Sequence, residues 1–294
     1  MDIVRKEMRV RPVAGDVGVE IEVEGNNLPA SCKGWRAEAD GSLRGEAREY
    51  VFDGPKSLTE SYSLIDSLCS KLNEDERTIL DTGRAGVHVH INCQDLKMGE
   101  LYNFFVLYLC LEPALTEFCG ESRVGNHFCL RAIDAEGLLF HLINAARDGN
   151  RFRRFFGTDT VRYSAMNVRS LTDYGSVEFR AMRSTTDPAI LKTWVGLLYT
   201  LKQKAKEFAS PSEVMMRFSM NGGEDFVKDS LGEFAPVVLE QAGWEEMVVE
   251  GMRAAQDVAF ATDWSKEWFD EPLRIIGQIK VPYGFDDDFP PEDV

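Results

Sequence analysis

Three short segments of this chain alternate apolar and chemically functional residues with a period of two. They are Val19-Glu20-Ile21-Glu22-Val23, Val87-His88-Val89-His90-Ile91 and Val177-Glu178-Phe179-Arg180-Ala181. Residues i and i+2 of a strand point to the same face, so each segment reads as a strand with one apolar side and one loaded side. If the three share a sheet, the loaded face is a cation and phosphate site. The chain has only four histidines, and two of them stand in the second segment.

Each pair also has a plainer reading. Glu20 and Glu22 would sit about 7 Å apart along one strand face, with Glu24 continuing the row at the rim. That row could be a solvated acidic face, or two carboxylates whose repulsion a divalent cation reverses. His88 and His90 could be one buried and one exposed imidazole. A zinc site using both with Cys93 is disfavoured, because Cys93 has the opposite strand parity and no second Cys or His cluster lies close in sequence. Asn92 prolongs the polar face. Glu178 and Arg180 could be a same-face ion pair, or a metal-binding carboxylate beside a guanidinium that grips a transferring phosphoryl group.

The rest of the chain alternates strands and helices without regular βαβ spacing. Residues 17–24 form the first strand, and Trp35 to Phe52 two more around the Asp40-Gly41-Ser42 turn. Apolar spacing from Ser57 to Asn73 predicts a helix with Ser57 as its cap and Glu60 three positions on. A long apolar helix begins near Met98, and its stretch from Leu101 to Leu115 is interrupted by Glu112-Pro113. A further helix covers 134–147. Strands near 161–170 and 175–183 are joined by Thr172-Asp173-Tyr174-Gly175, and Asp187-Pro188 opens another helix. After Ser210, helices are separated by Gly222-Gly223 and Gly232, and residues 286–294 read as an acidic, solvated tail. This order favours an α+β fold over a doubly wound one. It divides the chain into a domain at 1–209 and a helical C-terminal extension at 210–294.

Composition narrows the function. A formal charge of −16 argues against general binding of nucleic acid or of an acidic membrane. No apolar run reaches the roughly 20 residues of a membrane span. The first six residues offer no signal peptide, and six cysteines without a CxxC pair suit reduced thiols in the cytoplasm. From Arg147 to Arg183 there are eight arginines, no lysines and four acids, a local positive excess suited to anions. No GxxxxGK or GxGxxG occurs, so nucleotide phosphates would be held by metal and arginine.

Taken in order, Gly18-x-Glu20-x-Glu22, Asp40-Gly41-Ser42 with Glu49, Gly86-x-His88-x-His90-x-Asn92, Arg123, Asn167 and Glu178-x-Arg180 resemble the amidoligase family over about residues 15–205. That family stands with glutamine synthetase and glutamate–cysteine ligase among carboxylate–amine ligases. The resemblance implies a glutamine synthetase-like catalytic domain, with an antiparallel sheet curved around ATP and two or more Mg²⁺ ions, Mn²⁺ being a substitute. Glu20, His88 and Glu178 would hold the ion bridging the ATP phosphates, and Glu22 and Glu49 the ion nearer the acceptor carboxylate. Arg180 would stabilise the migrating γ-phosphoryl group, with His90 beside it, and Arg162 would meet nucleotide phosphate. Arg123, Asn167 and Arg183 would orient the substrate carboxylate.

The implied reaction activates a carboxylate as an acyl phosphate, which an amine then converts to an amide. Substrates would be a small-molecule, peptide or protein carboxylate and amine, and an amidotransferase is a partner that such a ligase could use. Two rivals remain at this point: a phosphagen-type guanidino kinase that stops at phosphoryl transfer, and a non-catalytic binding or structural relative.

Overall fold

The computed structural model describes residues 4–80, 82–148, 152–159 and 162–263; the acidic tail at 286–294 lies outside the described residues. Its centre is an antiparallel sheet of β1 (Val17–Asn26), β2 (Trp35–Glu38), β3 (Ala47–Phe52), β4 (Thr78–Leu80), β5 (Gly86–Asn92), β6 (Met166–Asn167) and β7 (Ser176–Arg183). The strand order is β2-β3-β1-β5-β7-β6, with β4 also pairing β1, and the sheet does not close. Helices are α1 (Val4–Met8), α2 (Leu58–Leu72), α3 (Met98–Cys119), α4 (Glu136–Arg147), α5 (Phe152–Phe156), α6 (Ser170–Asp173), α7 (Pro188–Ala205), α8 (Pro211–Asn221), α9 (Gly223–Leu231), α10 (Pro236–Leu239) and α11 (Trp244–Asp263). The α+β class and the flanked antiparallel sheet agree with the sequence.

The period-two pattern explains why the sheet has two unlike faces. Val19, Ile21 and Val23 of β1, Val87, Val89 and Ile91 of β5, and Val177 and Phe179 of β7 are all fully buried. Against that apolar face lie α2, α3 and α7. Phe104 and Tyr108 of α3 meet the Phe179 ring at centroid distances of 5.6 and 4.7 Å. The loaded positions are thereby turned to the opposite face. α2 starts as its sequence predicts, with Ser57 Oγ accepting from Glu60 N–H. Asp187 caps α7 in the same way, with Pro188 in its first turn.

α3 runs through Glu112-Pro113 without a break. Pro113 has no N–H for the carbonyl of Leu109, and α11 crosses α3 there. A Cβ on Gly251 of α11 would fall 2.3 Å from the Cys110 carbonyl oxygen and 2.5 Å from that of Leu109. Glycine therefore lets the two backbones touch. Through α8 and α11, the segment after Ser210 shares the hydrophobic core of the sheet and α3.

Two local expectations change. The strand expected near 161–170 shrinks to Met166–Asn167, and Ser170–Asp173 is a helical turn. The Asn167 side chain accepts from Arg169 N–H, and its carbonyl from Ser170 Oγ–H, which bends the chain out of the sheet. Residues 163–165 pair instead with Leu130. The β2–β3 connection is longer than a tight hairpin, and Asp40 holds it by accepting from Ser42 N–H and Oγ–H.

Candidate active site

Register brings the three loaded segments together. Glu20 of β1 lies opposite His88 of β5, Glu22 opposite Glu49 of β3, and His90 opposite Glu178 of β7. Directly opposed residues share a face and stand within about 5.5 Å at Cα. The β5–β7 register slips between Val87 and Val89. This bulge shifts the parity of β7, so that Arg183 comes opposite Gly86.

The side chains make a continuous polar cluster. His88 Nδ1 lies 3.3 Å from Glu20 Oε2 and 3.6 Å from Glu178 Oε1, and its Nε2 lies 3.8 Å from Glu22 Oε1. His90 Nε2 is 3.5 Å from Glu20 Oε1, while its Nδ1 is 3.1 Å from Ser176 Oγ. Glu178 is held on both oxygens: Asn167 Nδ2 donates to Oε2 at 2.6 Å and Arg180 to Oε1. Gly86 N–H donates to Glu22 Oε2 at 2.8 Å. Glu24, at the rim of the same face, instead accepts from Arg44 N–H.

Charge in this cluster is out of balance. Burial opposes ionisation of Glu20, yet hydrogen bonds from His88 and His90 outweigh it and hold the carboxyl well below the usual range. Glu178 is likewise buried, and His90, Arg180 and His88 bring it down. Burial lifts Glu22 above its ordinary value. Glu49 rises to about 7, first through burial and then through its neighbours Glu20, Glu22, Asp40 and Glu38. Burial disfavours the charged form of His90, but Glu20 and Glu178 raise its pKa overall.

This donor set fits divalent cations. Ligand atoms lie within 4.8 Å of one another in each of three groups: Glu20, His90 and Glu178; Glu20, Glu49 and His88; and Glu22, Asp40 and Glu49. Carboxylate oxygens, with one imidazole in the first two groups and none in the third, suit a hard ion such as Mg²⁺ or Mn²⁺. An ion there would offset the repulsion that lifts Glu49.

The other residues singled out by sequence fall into different surroundings. Asn167 is in the cluster, on Glu178. Arg123 is fully buried, and its Nε and Nη2 donate to the carbonyls of Ala181 and Arg180, bracing the bulged stretch of β7. Arg183 donates to the carbonyls of Phe118 and Cys119 at the end of α3. Arg162 is exposed and lies over the Tyr163 ring. Cys93 is buried and its thiol faces the Ile91 carbonyl. All six cysteines are free and buried.

Asp40 is the ligand candidate that the strand pattern did not assign. Its Asp-Gly-Ser motif was visible, but a loop residue has no face to read from parity.

An open antiparallel sheet that gathers carboxylates, imidazoles and an arginine on one face defines an α+β protein with an enzyme-like, metal-competent centre. The family model described as "Putative amidoligase enzyme" matches residues 54–201, half of the chain, and the chain belongs to that family of ligase-type enzymes. The match includes His88, His90, Asn167, Glu178 and Arg180; β1 and β3, which carry Glu20, Glu22 and Glu49, lie before it. No curated protein matches the chain. Among the described residues, no helix is long and apolar enough to cross a membrane.

Proposed function

We propose that this protein is an ATP- and Mg²⁺-dependent carboxylate–amine ligase that forms an amide through an acyl phosphate. The observation that carries this reading is the convergence of Glu20, Glu22, Asp40, Glu49, His88, His90 and Glu178 into adjoining ligand groups, with Arg180 on the Glu178 carboxylate. One ion would be held around Glu20, Glu178 and the histidines, and a second by Glu22, Asp40 and Glu49. Bound there, the ions would neutralise phosphate charge and polarise the phosphoryl and carboxylate oxygens.

In the reaction proposed, a carboxylate oxygen of the acid attacks the γ-phosphorus of ATP and ADP leaves. The amine then attacks the acyl carbon, loses a proton, and phosphate leaves. Arg180 is the residue aimed at the phosphoryl group. Its Nε donates to the Phe128 carbonyl and its Nη1 to Glu178, which orients the fork while leaving N–H groups for a ligand. His90, whose charged form is favoured by Glu20 and Glu178, stands ready to donate to a phosphate oxygen. Asn167 fixes Glu178, and Arg123 braces the backbone beneath Arg180.

The test is ADP release with purified protein and a panel of amino acids, peptides and polyamines. ADP is expected only when Mg²⁺, an acid and an amine are all present, and Glu178→Ala should abolish it. ADP release that needs a guanidino acceptor and no carboxylate would favour a kinase. Absence of ATP binding by calorimetry in Mg²⁺ would sink both enzyme readings.

A further inference from the structure

Beside the site, the Phe128 carbonyl that orients Arg180 begins a chain of contacts whose outer members, Arg84 and the Phe128 ring, have no role above. Arg180 Nε donates to the Phe128 carbonyl at 3.3 Å. The Arg84 guanidinium lies over the Phe128 ring, with Cζ 5.9 Å from its centroid. Arg84 Nη1 in turn donates to the Ser42 carbonyl at 3.3 Å, and Ser42 is tied to Asp40 through N–H and Oγ–H at 2.7 and 2.9 Å. Arg84 therefore links the Glu178–Arg180 side of the site to the loop carrying Asp40. Beyond it, the Phe128 ring meets that of Tyr163 edge-on at 6.3 Å, and Arg162 lies 5.7 Å over Tyr163.

Both arginines are exposed, and neither forms an ion pair among the described residues. Other basic side chains divide between paired and unpaired, Arg44 and Arg253 also having no ion pair among the described residues, so what sets Arg84 apart is its aromatic face and its link to the Asp40 loop. Arg131, Arg169, Lys192, Lys202 and Lys204 are all paired with carboxylates. In a protein of net charge −16, a guanidinium over an aromatic face beside a cluster of acids, yet paired to none of them, is suited to an anion that arrives with a ligand.

Resting on the ligase reading, we propose that Arg84 on the Phe128 face binds a second anionic group of the acid substrate. The preferred acid is then a dicarboxylate rather than a simple monocarboxylate. Its reacting carboxylate lies toward Glu22, Asp40 and Glu49, the loop contact through Ser42 sets its distance from Arg84, and Arg162 on Tyr163 extends the anionic subsite. This assigns Arg162 to the acid rather than to nucleotide phosphate.

Calorimetry in Mg²⁺, with and without ATP, compares glutarate with butyrate on the full chain, on Arg84→Gln and on Arg253→Gln, a charge control on α11. Arg84 is exposed, so its replacement leaves the core intact. The wild type is expected to bind glutarate at least tenfold more tightly than butyrate, with the ratio falling near one in Arg84→Gln and unchanged in Arg253→Gln. Equal binding of the two acids by the wild type would overturn the proposal. So would a preference that survives Arg84→Gln, or a loss confined to ATP affinity in that variant. Failure of the wild type to bind ATP would count against the ligase reading alone, because the ratio of the two acids is read without nucleotide as well.

Discussion

Glu112 offers a sharp test of how this core is held, because it is a carboxylic acid on the most deeply buried helix. Its Oε2 accepts from Ala132 N–H at 2.8 Å, while Oε1 has no partner and neither does the nearby Tyr108 hydroxyl. Burial raises its pKa from 4.5 to about 8, against weaker help from the Ala132 N–H and Arg131. A carboxyl raised on folding contributes its full stability below its unfolded value and forfeits it as pH climbs through the folded one. The loss here runs from pH 4.5 to about 8. At about 1.4 kcal/mol per pH unit, the loss once both values are passed is roughly 4–5 kcal/mol. That is a large share of the roughly 5–15 kcal/mol that keeps a domain folded. Glu112→Gln keeps an acceptor for Ala132 and cannot ionise. Urea unfolding followed by tryptophan fluorescence should show little difference between the two proteins at pH 5. At pH 8.5 the variant should be more stable by several kcal/mol. An identical difference at both pH values, or a variant less stable at both, would refute the argument.

Three other outcomes are expected. In the cation-free protein the Glu49 carboxyl lies near 7, so an entering Mg²⁺ must displace its proton. Calorimetric Mg²⁺ affinity should rise from pH 6 to pH 8, and Glu49→Gln should bind more weakly with most of that slope gone. Gly251→Ala would drive a methyl into the Cys110 and Leu109 carbonyls; chemical unfolding should show a loss of about 1–3 kcal/mol or more, as for overpacking elsewhere. Asn167→Ala should lower ADP production well below wild type without abolishing it, because Glu178 keeps Arg180 and the longer Ser170 Oγ contact but loses its short donor on Oε2.

Much of the site can be read from parity, and its limits follow from what parity omits. Val-Glu-Ile-Glu-Val and Val-His-Val-His-Ile announce their two faces because each strand is long and regular, and one side is fully buried. The sequence does not say which strands are neighbours. β1 and β5 pair across more than sixty residues, and only that register sets Glu20 beside His88. Asp40 escapes because its loop is shaped by side-chain hydrogen bonds to Ser42 rather than by a repeating pattern. The resemblance gives Arg123 a role in orienting the substrate carboxylate, and the turn after α3 places it beneath β7, where two carbonyls accept from its Nε and Nη2, a placement no strand parity could indicate. Pro113 reads as an interruption, but the flanking apolar residues bury so much surface that the helix continues past it. The strand expected near 161–170 is cut short at Asn167 because Asn167 and Ser170 satisfy the backbone locally.

The central claim is that a carboxylate oxygen takes the γ-phosphoryl group before the amine arrives. The most direct measurement uses the acid and amine that support ADP release, with the acid labelled with ¹⁸O in its carboxylate, and follows the label by mass spectrometry. An acyl-phosphate route predicts that one ¹⁸O per amide formed appears in the released inorganic phosphate. Phosphate free of label, accompanied by the same amide product, would contradict the account.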